Sequence, residues 1–165
     1  MDTTEKTIDI INDLIKINNE RVAGLETASA SLENDDLGLR KIFDKLAGES
    51  RVNVAELSCK TQQYNGKPEG GANIYRTLHR AWLDVKSSFT GNDLETILNK
   101  CDRAEDAIEE AYNSALKNLK DLPYGVVELI IRQHQGISKG HDLIRSFRHQ
   151  SGKMAQLETA ILFEQ

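Results

Sequence analysis

A chain of 165 residues, 39% of them hydrophobic, is long enough for one domain with a sizeable core. Its formal net charge of −5 excludes general nucleic-acid binding, which needs a basic face against phosphate. No apolar run reaches the roughly 18 residues of a membrane span, and two prolines in the whole chain favour long helices over a turn-rich sandwich.

The start, Met1 to Lys6, is polar and has no signal-peptide core, so the cytoplasm is the expected compartment. The first helix is expected from Asp2 to Ser31, with Asp2 and Glu5 spaced as a capping box. Ile8, Ile11, Ile15, Val22 and Leu25 form its apolar stripe, and Asn18 falls within it. The polar turn Glu33 to Asp36 offers N-cap residues to a second helix running to about Tyr64. Leu39, Ile42, Phe43, Leu46, Val54 and Leu57 mark the inner face of that helix, interrupted by Glu49, Ser50 and Asn53.

Asn65 to Gly71 is the strongest breaker in the chain. A shorter helix follows from Ala72 to Phe89, with Ile74, Leu78, Ala81, Trp82 and Val85 on one side. Thr90 to Asp93 breaks it, and Asn92 with Glu95 fits a second capping box. The next helix runs to about Lys120 and turns Leu94, Leu98, Cys101, Ile108, Tyr112, Ala115 and Leu119 inward, with Glu105 at a strict core position. Pro123 suits the start of the last long helix. There Val127, Ile130, Ile137 and Ile144 share one face with His134 and His141. After Ser151-Gly152 a short amphipathic tail carries Met154, Leu157, Ile161, Leu162 and Phe163.

Cys59 and Cys101 are the two cysteines, and neither belongs to a Cys-x-x-Cys pair, which removes zinc-ribbon and redox motifs. Cys101, on an apolar face, reads as a small buried hydrophobe. No phosphate-binding glycine loop and no nucleophile elbow is present.

Four helices of about 27 to 30 residues, roughly 40 Å each, make a regular bundle. Two short turns, at 33–36 and 120–123, make two antiparallel hairpins, and the segment 65–93 is long enough to run back between them. The expected fold is therefore all-α: a ferritin-like, up-down-down-up four-helix bundle with a helical crossover between helices 2 and 3. Residues 1–150 form the bundle, and 151–165 the tail.

In that topology Glu49, Glu105, Asn18 and the stretch around Ile137 reach one depth, with His134 and His141 a turn to either side. A ferritin-like di-iron centre takes a Glu from each of two helices and a Glu-x-x-His pair from each of the other two. Ile131 precedes His134 by three and Ser138 precedes His141 by three, so those pairs are missing and no di-iron centre is expected. Two readings of the layer are left. One is a metal-free hydrogen-bond network that includes Asn18 and Asn53, with no cofactor. The other is a single divalent metal held by Glu49, Glu105, His134 and His141.

The stretches TIDIINDLIKINNERVAGLETA, ESRVNVAEL, LHRAWLDVKSSFTG and DRAEDAIEEAY stand in the order and spacing of a bacterial ferritin-like family. The chain resembles that family, the one defined by domain of unknown function 2383, over all but its tail. ELIIRQHQGISKGHDLI in the last helix matches it more loosely. The resemblance implies a ferritin-like bundle in bacteria and supplies no catalytic residue.

Three functions follow as expectations. The first is a non-enzymatic bundle acting by association or in stress response, as a homo-oligomer, in its simplest form a dimer. The second is a metal-binding redox protein with a reduced carboxylate and histidine site. The third is a helical binding module using the Leu78–Trp82 groove, although Trp82 reads more readily as crossover packing.

Overall fold

The computed structural model describes residues 2–33, 36–68 and 94–163. Among them are four α-helices, α1 Thr3–Ser31, α2 Leu37–Gln63, α3 Leu94–Leu116 and α4 Tyr124–Phe163, with one turn of 3-10 helix at Leu119–Asp121. Residues 69–93 lie outside the described residues. With them go the expected helix through Leu78 and Trp82 and the Asn92 cap.

Local sequence sets the helix ends. The Asp2 and Glu5 capping box forms: the Asp2 N–H donates to the Glu5 carboxylate at 3.4 Å. α2 stops where Asn65 takes the left-handed conformation, φ 58°. The Gly66 N–H then closes onto the Thr61 carbonyl at 3.0 Å, a Schellman-type end. At the head of α4 the Pro123 carbonyl accepts the N–H groups of Val126 and Val127, so the proline begins the helix without leaving a donor unpaired.

Side-chain pairs fix the directions. Lys6 meets Asp121, Asn18 meets Tyr112 and Arg21 meets Glu105, so α1 and α3 are antiparallel neighbours. Glu56 meets Arg132 and Asn53 meets Gln133, so α2 and α4 are antiparallel as well. With α1 and α2 antiparallel through their short connection, α2 and α3 point the same way, and the order is up-down-down-up.

Ile11, Leu14, Ile17, Leu25, Phe43, Leu46, Leu57, Leu98, Ile108 and Ile144 fill the centre. The inner faces differ in register from the sequence expectation on two helices. On α1 the buried positions include Asn18 and Arg21, while Val22 is half-buried. On α4 Gln133 is buried and His134 only partly so.

The helices also differ in length. α3 ends at Leu116, not near Lys120. α4 does not break at Ser151-Gly152 but runs on to Phe163. An internal glycine costs about 1 kcal/mol of helix propensity without ending a helix, and no proline follows it. By the register of its pairs with α3, about two turns of α4 project past Leu94. The apolar side chains of the projecting turns are exposed: Leu157 and Ile161 at 58%, Phe163 at 85%.

Candidate functional site

Two polar assemblies sit in this bundle. The first is at its centre. Arg21 of α1 and Glu105 of α3 are both fully buried and form a bidentate pair, Nε to Oε1 at 2.7 Å and Nη2 to Oε2 at 2.8 Å. Nη1 also donates to the Ser50 hydroxyl of α2 at 3.1 Å. Burial works against the guanidinium charge, but the Glu105 carboxylate outweighs it and holds the Arg21 pKa above its ordinary value.

One turn along the bundle, a hydrogen-bonded chain crosses all four helices. Asn53 Nδ2 donates to Asn18 Oδ1 at 3.1 Å, and Asn18 Nδ2 donates to the Tyr112 hydroxyl at 2.7 Å. Tyr112 donates to Gln133 Oε1 at 3.0 Å, and Gln133 Nε2 donates to Glu56 at 3.0 Å. Burial pushes the Tyr112 phenol well above its usual range, so it remains an O–H donor in that chain. Every member has a partner, the condition under which a buried polar layer rigidifies a core.

The second assembly lies on the α3–α4 seam. Asp102, Asp106 and Glu109 fall on one face of α3, opposite Ser138, His141, Arg145 and Arg148 on α4. His141 is fully buried, with Nδ1 2.6 Å from Glu109 and Nε2 2.8 Å from Asp102 and 3.4 Å from Asp106. Ser138 donates to the other oxygen of Glu109. Arg145 Nη2 donates to Asp106 at 2.9 Å, and Arg148 Nη1 to Asp102 at 2.7 Å. Burial depresses the imidazole pKa, but the bonds to Glu109 and Asp102 outweigh it, and His141 lies above its ordinary value. Burial raises Glu109, but Ser138 and His141 outweigh it and hold that carboxylate below its ordinary range.

The four residues expected to share a metal are not brought together. Glu105 has both oxygens on Arg21. Glu49 has a half-exposed side chain, pairs with Lys45 at 3.6 Å and lines a cleft between α2 and α4, so it does not face Glu105 across the axis. His134 is half-buried beside Tyr112, with ring centroids 6.4 Å apart, and its Nε2 is buried without a hydrogen-bond partner. His141 belongs to the seam. Among the described residues, the group of His, Cys, Asp or Glu side chains placed to share an ion is Asp102, Asp106 and His141, with ligand atoms within 4.8 Å of one another. The donors at the bundle centre do not fit the two irons of a ferritin-like site, since its one buried carboxylate is consumed by a guanidinium.

Sequence reasoning missed Arg21, Gln133 and the acid–base seam. Signals for each were present. Arg21 stands three after Asn18 and four before Leu25, the spacing of a buried stripe. Asp102, Asp106 and Glu109 repeat the same spacing, as do Ser138, His141, Arg145 and Arg148, and the two sets carry opposite charge.

The family model of a domain of unknown function, DUF2383, matches residues 6–118. No curated protein matches the chain. Among solved structures, a mutant of Dps1 from Mycobacterium smegmatis superposes with a TM-score of 0.73 at 13% identity, covering 88% of this chain and 97% of that one. At that identity the likeness shows the ferritin-like fold alone.

Proposed function

For a chain that belongs to the DUF2383 family, with the ferritin-like fold, we propose a non-enzymatic role exercised by association between copies of the bundle. The observation that carries the reading is the Arg21–Glu105 pair. It fills the mid-bundle position with a fully buried ion pair in which both Glu105 oxygens and all three Arg21 guanidinium nitrogens are engaged. In the neighbouring layer from Asn53 to Glu56 each polar group is engaged by another, and the layer reaches the surface at Glu56. Such an interior specifies one packing of four helices and offers no acid, base or nucleophile to a reactant.

The projecting end of α4 supports the second half of the reading. Met154, Leu157 and Ile161 repeat at the spacing of a helix–helix seam and are more than half exposed. Leu162 and Phe163 widen the patch, and contiguous exposed apolar surface marks an interaction site. A second copy of the same helix end offers a matching seam, since a two-fold contact sets one patch against itself.

Light scattering of the full chain after size exclusion tests this. The expected result is a dimer or larger, reduced to a monomer by Leu157→Lys with Ile161→Lys at unchanged helix content. A full chain that stays monomeric across micromolar concentrations would overturn the reading.

A further inference from the structure

The α3–α4 seam holds a cation-binding geometry that the central ion pair lacks. We propose that Asp102, Asp106 and His141 form a site for one divalent first-row transition metal ion, taken up in place of the Arg145 guanidinium.

The two separations from the imidazole suit inner-sphere ligands, and all three ligand atoms lie within 4.8 Å of one another. His141 Nε2 stands 2.8 Å from Asp102 Oδ1 and 3.4 Å from Asp106 Oδ1. Atoms bound to one ion at roughly 2.1 Å stand about 3 Å apart. The imidazole is already oriented: its Nδ1 is held by Glu109 at 2.6 Å, and Ser138 holds the other oxygen of that carboxylate. A carboxylate on the far ring nitrogen is the usual support of a metal-bound histidine, since it sets the ring's orientation and turns Nε2 to the ion. One imidazole and two carboxylates suit ions of the zinc, cobalt or manganese type, with water completing the shell.

The same two carboxylates already draw positive charge. Arg145 lies across the two oxygens that the ion would bridge, Nε 3.3 Å from Asp102 Oδ1 and Nη2 2.9 Å from Asp106 Oδ1. Its side chain is 47% exposed and that of Asp106 56%, so the guanidinium can turn into water and the ion can enter along the same path. Asp102 Oδ2 keeps its bond to Arg148 throughout. A dication replaces one guanidinium, and binding at Nε2 releases to solvent any proton carried there. The site lies on one helix pair and uses none of the central residues, so it stands whether or not the association reading does.

The full chain, purified without an affinity tag and stripped with chelator, is titrated with Co2+ by visible absorption and with Zn2+ by calorimetry. One ion per chain is expected. Arg145→Gln should tighten binding about fivefold, since an exposed pair no longer competes. Asp106→Asn should weaken it, and Glu109→Gln should weaken it about tenfold, as loss of an orienting carboxylate does. Circular dichroism checks each fold, and Asp106→Asn, at an exposed side chain, is the ligand variant expected to leave the fold unchanged. Absence of Co2+ binding in both the parent and Arg145→Gln, or unchanged binding in Asp106→Asn, overturns the site.

Discussion

Gly140 of α4 passes so close to Arg21 of α1 that a Cβ on it would lie 2.8 Å from Nη2 of the guanidinium, and equally close to Leu46 Cδ2. The guanidinium cannot step aside, because Glu105 and Ser50 hold it on three nitrogens. The glycine is therefore what lets the fourth helix close over the buried ion pair.

Gly140→Ala should accordingly destabilise the protein by about 1–3 kcal/mol, the usual penalty of overpacking, in spite of alanine's better helix propensity. At Gly136, one turn earlier, an added Cβ would meet nothing within 4 Å. Gly136→Ala should stabilise by up to about 1 kcal/mol. Urea midpoints of the two variants should move in opposite directions, and movement in the same direction would contradict the packing at Gly140.

The bundle was legible in the sequence because its cause is periodic. Stripes on four helices and two short turns define the hairpins, and the direction of α2 and α3 follows from the length between them. The mid-bundle position of the polar residues was legible to within about a turn for the same reason: Asn18, Asn53 and Glu105 interrupt their stripes, although Glu105 pairs with Arg21 one turn away from the Asn18–Asn53 contact. Partner identity was not. Arg21 carries a long side chain that often lies at a stripe's margin with its head in water, and nothing in α1 alone says that this one turns inward. Glu49 shows the converse: it also interrupts a stripe, but its side chain reaches water beside Lys45. Histidines at core spacing divide similarly, since a small rotation of α4 buries Gln133 and His141 and leaves His134 at the edge.

Tyr112→Phe removes a hydroxyl that accepts from Asn18 and donates to Gln133. The ring is retained, and Asn18 Nδ2 keeps its bond to the Leu14 carbonyl, so the cost is chiefly that of the unmet Gln133 oxygen, about 1–3 kcal/mol. Adding Gln133→Leu should recover part of it, because the stranded acceptor is then gone. A denaturation series on the two variants checks this, and a harmless Tyr112→Phe would mean that water satisfies the layer.

The cysteines should differ sharply toward thiol reagents. Cys101 is fully buried, and burial first, then the nearby Glu105 and Asp102 charges, push its thiol far above the usual range. Cys59 is exposed on α2. One thiol should react promptly with an aromatic disulfide reagent in the native protein, and the second only on unfolding. Two fast thiols at neutral pH would show that the α3 face opens readily.

The central pair gives the sharpest test of a structural interior. Glu105→Leu alone leaves the Arg21 guanidinium buried with only Ser50, and Arg21→Met alone leaves a carboxylate with no counter-charge. Each should cost about 3–5 kcal/mol, because an uncompensated charge remains in a dry core. Together the two changes remove both charges and fill the space with apolar atoms. The double variant should return to parental stability or exceed it by about 1–4 kcal/mol. The residues touch, so the two effects must be strongly non-additive in a double-mutant cycle. If the double variant were as unstable as either single one, the pair would be doing more than balancing its own burial. The centre of the bundle would then owe its packing to the shape of the ion pair itself.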